Sequence, residues 1–164
     1  MSAAKTSVRL VVLIASLAIV CVPVEGADAV RFTVVLPGSS YAAAGPIPLR
    51  MTLANGSSQP ARVSGRFAVN DEREPPAFHE VTVVLRAPSG RHAAFRRDIK
   101  IHAARAGDVV TLPPGGSASK TVDLARYYLL DERGAYEVRA TYAATAPGAL
   151  PGPIVSNTVR FTVR

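Results

Sequence analysis

Residues 47–54 read IPLRMTLA, and apolar side chains alternate there with side chains that tolerate solvent. Because successive side chains of a β-strand point to opposite faces of the sheet, this period of two predicts a strand with one buried face. Residues 55–60, NGSSQP, then supply the residue types of a turn. The inward positions of this strand are Ile47, Leu49, Met51 and Leu53.

The same alternation recurs in four further stretches, and weaker versions occupy residues 63–69 and 122–124. No long stretch repeats apolar residues with a helical period, although residues 123–131 offer one helical turn between strands. The inward positions of the four stretches are Val30, Phe32, Val34 and Leu36; Val81, Val83 and Leu85; Tyr136, Val138, Ala140 and Tyr142; and Val159, Phe161 and Val163.

Seven to eight short strands separated by turns predict an all-β fold, an antiparallel sandwich of two sheets. Parallel pairing would need crossover helices, for which the sequence leaves no room. A chain of 164 residues that is 48% hydrophobic is sufficient for one domain, and it excludes a disordered polypeptide or a two-domain enzyme. The net charge of +7 favours weak contact with anionic surfaces without specifying any of them.

The first 26 residues have the plan of a signal peptide. Lys5 and Arg9 precede an uncharged apolar run at residues 10–22, and small residues follow it. A membrane anchor is the alternative, but the run is shorter than the roughly 20 apolar residues that span a bilayer. We expect cleavage between residues 26 and 29, a single domain at 27–164, and export to the periplasm, cell envelope or medium. The chain has one cysteine, Cys21, which lies inside this segment, so we expect no disulfide and no membrane span in the mature domain.

Gly134 and Tyr136 open the predicted penultimate strand in the manner of the tyrosine corner of immunoglobulin-like domains, in which the phenol bonds upstream backbone. Together with Pro114-Gly115, residues 122–124 and Ser156-Asn157, they resemble exported bacterial immunoglobulin-like β-sandwich domains. The pattern also resembles the non-catalytic β-domain of deuterolysin-type metallopeptidases. In that family a zinc-containing catalytic domain follows, and this sequence ends at Arg164, so no catalytic residue is carried over.

Residue patterns that carry catalysis are missing from the sequence. The three histidines, His79, His92 and His102, lack the spacing of a zinc site, and there is no Gly-x-Ser-x-Gly elbow. An acidic group at residues 71–74 lacks the ligand spacing of a known calcium loop, and a solvated loop is the preferred interpretation. We therefore predict a protein that is not an enzyme, with no catalytic, cofactor-binding or metal-binding residues.

A basic segment at residues 91–105 is the more suggestive feature. Phe95 shares a parity with Ile99, Ile101 and Arg97, which favours an edge strand or a bulge. On such an edge the cationic side chains would form a positive ribbon for a partner, and a soluble edge that resists aggregation is the alternative. Nucleic acid is not expected, because the exposed aromatic residues that stack on bases are missing. The candidate residues of the ribbon are Arg96, Lys100 and His102.

Leu150 is a further candidate, because it looks exposed in the uncharged loop at residues 146–153. The sequence thus favours a non-enzymatic exported domain that binds an unknown protein through its end loops or, by β-augmentation, through a sheet edge. The alternative is a proteinase inhibitor or chaperone-like accessory of an exported peptidase, acting through residues 146–153 or 71–76. A carbohydrate-binding module is disfavoured because the chain contains no Trp.

Overall fold

Alternating burial along each strand builds the fold. The computed structural model describes residues 30–70, 80–96, 103–143, 149–150 and 152–164. The predicted signal peptide lies outside these residues. The described part of the chain forms the predicted all-β sandwich, in which nearly all strands pair antiparallel.

Eleven strands are present in the described residues. They are β1 (Val30–Val35), β2 (Ser40–Tyr41), β3 (Pro48–Asn55), β4 (Ala61–Ser64), β5 (Val69–Asn70), β6 (Val81–Arg86), β7 (Val109–Leu112), β8 (Ser117–Asp123), β9 (Gly134–Ala143), β10 (Pro153–Val155) and β11 (Val159–Val163). Eight of them have four residues or more, in agreement with the expected seven to eight. The other three, β2, β5 and β10, have two or three residues, which is too short for a period of two to be visible.

The strands form one large sheet and two smaller ones. The large sheet has the order β2-β11-β9-β6-β5, with β10 also paired to β9; β1-β3-β8 and β4-β7 are the others. Two pairs are parallel, β2 with β11 and β5 with β6, and each joins only two residues per strand. The chain therefore changes sheets between β1 and β2, so that its N-terminal part lies beside its last strand. Parallel pairing without a crossover helix is possible here because these partners belong to such short ladders.

The predicted inward positions form the core. All of them are buried except Leu36 and Val159, which are partly buried and pack against it. Phe161 stacks on Tyr136 with ring centroids 5.3 Å apart, and Phe32 lies 5.8 Å from Tyr142. The first contact lies within the large sheet, and the second joins the β1-β3-β8 sheet to it across the core, which is the packing that the alternation predicts.

The predicted helical turn is confirmed as α1 (Leu124–Tyr127). Asp123 caps it, because its Oδ1 accepts from the N–H of Ala125 at 3.1 Å and from that of Ile47 at 2.8 Å. Of the predicted edge strand, the described part contains Phe95, which makes one isolated antiparallel bridge with Tyr128. Ile99, Ile101 and Arg97 lie outside the described residues.

Strand β8 forms one edge of the β1-β3-β8 sheet, and it carries a charge on its inner side. Lys120 lies opposite Met51 in the register, so the two side chains share the face that packs on the core. Its Nζ reaches out of that face and donates to the carbonyl oxygen of Arg66 at 2.9 Å. An inward charge on an edge strand discourages another strand from pairing there. The sequence pattern predicts an inward charge of this kind at Arg97.

Candidate functional site

The residues of the predicted tyrosine corner fasten the connection into β9. The Tyr136 hydroxyl donates to the carbonyl oxygen of Glu132 at 2.9 Å and accepts from the N–H of the same residue at 3.0 Å. Burial raises the pKa of this phenol above its ordinary value. Gly134 has φ +126, and a Cβ there would approach Pro88 Cγ to 2.9 Å, so only glycine fits. Both residues serve the fold.

A buried ion pair joins the segment after β4 to the start of β6. Glu80 has no exposed side-chain area, and its Oε1 lies 2.8 Å from Nη2 of Arg66, which is 17% exposed. Nε of Arg66 and the N–H of Ala68 donate to the same carboxylate. Phe67, between these two donors, takes the left-handed φ of +48 that lets both face the carboxylate. This pair could not be predicted from the sequence, since a single Glu before an apolar strand carries no signal of its distant partner.

The second polar contact inside the sandwich is made by Tyr142. Its hydroxyl accepts from the N–H of Ser64 at 2.7 Å and donates to the carbonyl oxygen of Ser64 at 3.1 Å. Burial raises the pKa of Tyr142 to about 12. Among the described residues, Ser64 Oγ is the buried side-chain polar atom that lacks a hydrogen-bond partner. Because Ser64 and Tyr142 are fully buried, we assign the cluster to stability.

The residues that the sequence singled out for binding are not brought together in the described part of the chain. Arg96 is exposed. Its backbone N–H donates to the carbonyl oxygen of Tyr127 at 2.7 Å, and its side-chain Nε lies 3.4 Å from the carbonyl oxygen of Tyr128. Lys100 and His102 lie outside the described residues. Leu150 is half-buried and packs against the core instead of being exposed, because its backbone N–H is tied to the carbonyl oxygen of Arg62.

The candidate metal ligands give a similar result. His92 is exposed and its backbone forms a bridge with Arg86. His79 and the acidic residues at 71–74 lie outside the described residues. In the part that the structure covers, no three His, Cys, Asp or Glu side chains come close enough to hold a metal ion. No helix there has the length and apolar character needed to span a membrane.

A small groove opens beside α1, at the end of the sandwich where the chain enters β9. It has a volume of about 410 Å³, and its floor is apolar, with Ala125, Leu129 and Leu130. Arg96 and Asp131 lie on its rim. The positive charge of Arg96 has the carboxylate of Asp131 among the lining residues of the same groove, so the two formal charges of this lining are balanced.

A larger groove lies on the outer face of the large sheet. Its volume is about 530 Å³, and it extends across β6, β9 and β10 to Thr158. The strand register arranges its side chains in rows, because residues directly opposite each other in antiparallel strands share a face. The rows are Arg86, Glu137 and Arg160; Val84 and Arg139; and Thr141 and Val155. We call this surface the arginine face.

The charges of the arginine face are unevenly satisfied. Arg160 binds Glu137, with Nη2 and Nε at 2.8 and 3.0 Å from the same carboxylate oxygen. Arg86 has a long contact of 3.4 Å with the carbonyl oxygen of Gly90. Arg139 is exposed, and no described residue accepts a hydrogen bond from its guanidinium. The face thus presents a free arginine beside two valines, of which Val155 is 45% exposed.

Comparison with known proteins finds similarity in structure and not in sequence. No protein-family model matches the sequence, and no curated protein matches it. The structure is similar to that reported as "X-ray structure of Northeast Structural Genomics Consortium target SoR45", with 13% sequence identity and a TM-score of 0.48. The similarity covers 83% of this chain and 88% of that one.

Proposed function

We propose that this chain is an exported, immunoglobulin-like domain that is not an enzyme and works by binding another protein. The observation that carries the proposal is the open groove of the arginine face, about 530 Å³ in volume, with Arg139 exposed beside Val84 and Val155. Export and the bacterial immunoglobulin-like family come from the sequence pattern, since the apolar N-terminal run lies outside the described residues.

The composition of the arginine face supports protein binding over the binding of a small ligand. Pockets for small molecules are usually concave and bury most of the ligand, whereas four of the seven residues that line this groove are exposed. Protein interfaces combine apolar contacts near their centre with arginine and a polar rim. Val84 and Val155 supply the apolar contacts, while Thr141 and Thr158 contribute to the rim.

The face is also a stable platform. Four strands, β6, β9, β10 and β11, carry it, and the inner side chains of β6 and β9, among them Val83, Val138 and Tyr142, belong to the buried core. A sheet with one face packed in this way holds the side chains of its other face at fixed spacing. Binding would therefore require little ordering of the domain itself, which reduces the entropic cost of association.

Site-specific photo-crosslinking tests the proposal. A photoreactive residue replaces Thr158 in the groove, and in a matched control it replaces Thr121, which is exposed on β8 of the opposite sheet. We expect a discrete adduct in envelope preparations from the Thr158 position, absent from the Thr121 position and lost when Arg139→Glu is added. Equal adducts from the two positions, or an adduct that Arg139→Glu leaves unchanged, would overturn the proposal.

A further inference from the structure

We infer that the partner presents carboxylate side chains to Arg139, so that the arginine face binds an acidic segment of another protein. This inference rests on the proposed function, and it adds the chemistry of the partner. It depends on three observations: the free guanidinium at the centre of the face, the surplus of positive charge around it, and the side-chain types that line the groove.

Arg139 is the group best placed to recognise a ligand. It stands opposite Val84 in the register, between the row of Arg86 and Glu137 and the row of Thr141 and Val155. Its guanidinium is planar and always charged, and its donors match the two oxygens of a carboxylate. In a complex, Val84 and Val155 would exclude water from one side of the pair between Arg139 and a carboxylate. The pair would then be stronger than the same pair in open solvent.

The surrounding charges favour an acidic partner and oppose self-association. The face carries three arginines, Arg86, Arg139 and Arg160, and one carboxylate, Glu137, which already binds Arg160. A second copy of the chain placed face to face would bring like charges together, which costs free energy. An acidic surface would be attracted from a distance, and association would then be faster at low salt.

The side chains that line the groove favour a protein over an anionic polysaccharide or a nucleic acid. Single-stranded nucleic acids are held in part by stacking of their bases on aromatic rings, and the lining residues are Val, Thr, Arg and Glu without an aromatic side chain. An anionic polysaccharide would engage the arginines but would leave Val84 and Val155 without apolar contacts. The valines instead match the aliphatic side chains of a peptide. In an extended segment, residues two apart share a face, so a segment with acidic and aliphatic residues at every second position would offer both carboxylates and apolar groups to the arginine face.

Capped peptides serve as probes, and Ser separates their Glu and Val residues so that both lie on one face of the extended chain. The Glu-Val peptide has two repeats of Glu-Ser-Val-Ser, the uncharged Gln-Val peptide has two repeats of Gln-Ser-Val-Ser, and a Lys-Val peptide carries Lys in place of Glu. Affinity is measured at about 150 mM salt, where exposed charges more than about 8 Å apart are largely screened. Arg139→Gln is compared with Arg50→Gln, which removes the same charge from an exposed position on the opposite sheet. Thermal unfolding checks that each variant is folded.

We expect the Glu-Val peptide to bind at least tenfold more tightly than the Gln-Val peptide. Arg139→Gln should remove this preference, Arg50→Gln should change the affinity less than twofold, and Arg139→Glu should shift the preference to a Lys-Val peptide. Equal binding of the two peptides, or equal effects of Arg139→Gln and Arg50→Gln, would overturn the inference. So would heparin binding that depends on Arg139 while the peptides do not bind, or a dimer of the domain alone that Arg139→Glu dissociates.

The two proposals fail in distinguishable ways. If the Thr158 adduct forms and requires Arg139, but neither the peptides nor their variants show a carboxylate preference, the binding function stands and the acidic partner is wrong. If the Thr158 position gives no specific adduct, and the domain binds the Glu-Val and Gln-Val peptides equally, both the binding function and the acidic partner are wrong.

Discussion

The side-chain amide of Asn157 pairs with both backbone groups of Val34. Its Oδ1 accepts from the N–H of Val34 at 2.9 Å, and its Nδ2 donates to the carbonyl oxygen at 3.0 Å. Val34 lies in β1, at the edge of its sheet, and Asn157 lies between β10 and β11 of the large sheet. The amide therefore acts as a substitute for a neighbouring strand, and it ties the two sheets together.

Replacing Asn157 with Ala should lower the free energy of unfolding by about 2 kcal/mol, since two hydrogen bonds of about 1 kcal/mol each are lost. Urea denaturation measures the loss, and hydrogen exchange should speed up at the Val34 amide. Asn157→Asp is the control, because its Oδ1 can still accept from the N–H of Val34. The Val34 amide should therefore exchange more slowly in the Asp variant than in the Ala variant. Unchanged exchange at Val34 in the Ala variant would contradict the assignment.

Glu80→Gln should destabilise the domain by about 3 kcal/mol, because it removes a fully buried negative charge that binds the largely buried Arg66 guanidinium and the N–H of Ala68. The matched change is Glu137→Gln, which breaks the pair with the exposed Arg160 and should cost less than about 1 kcal/mol. Both values come from urea denaturation at neutral pH. Similar losses in the two variants would show that burial does not distinguish the pairs.

Gly134→Ala should cost roughly 3 kcal/mol, because the added Cβ meets Pro88 and alanine rarely adopts a φ of +126. Gly115 is a milder comparison, because its φ of +72 lies near the left-handed region that alanine can adopt and a Cβ there has open space around it. Gly115→Ala should therefore cost about 1 kcal/mol, from backbone strain alone. A smaller loss at Gly134 than at Gly115, measured by thermal unfolding, would rule out the close contact with Pro88.

Tyr142 makes the stability depend on alkaline pH. Burial raises its pKa to about 12, against about 10 in an unfolded chain. The unfolded chain therefore loses this proton first as the pH rises, so the contribution is complete below pH 10 and is lost towards pH 12. The wild type should lose more stability between pH 9 and 11 than Tyr142→Phe, as measured by urea denaturation. Parallel pH profiles of the two proteins would be inconsistent with a raised pKa in the folded state.

Much of the fold could be predicted from local alternation, because a strand with one buried face shows its own register. The inner positions of β3 and β9 were predicted residue by residue in this way, and every one is buried. Strands β2 and β10 could not be predicted, since two or three residues carry no period. Their positions depend on neighbours distant in the sequence, such as the pairing of Tyr41 with Val163.

The arginine face was only partly predictable. Alternation places Glu137, Arg139 and Thr141 on the outer side of β9, and that much is visible in the sequence. The groove itself depends on the register that sets Val84 opposite Arg139, and register between distant strands leaves no local trace. The basic segment around Arg96 predicts a charged surface because its charges lie close together in the sequence. The charges of the arginine face are instead dispersed along three strands.

The inward Lys120 on β8 has a consequence for concentrated solutions of the domain. A second copy that extended this sheet would have to place its own backbone beside an ammonium group already committed to Arg66. Each added layer would repeat that cost, so growth of a cross-β fibril from this edge is opposed at its first step. A substitution that makes residue 120 apolar would remove the barrier while leaving the ladder between β3 and β8 intact.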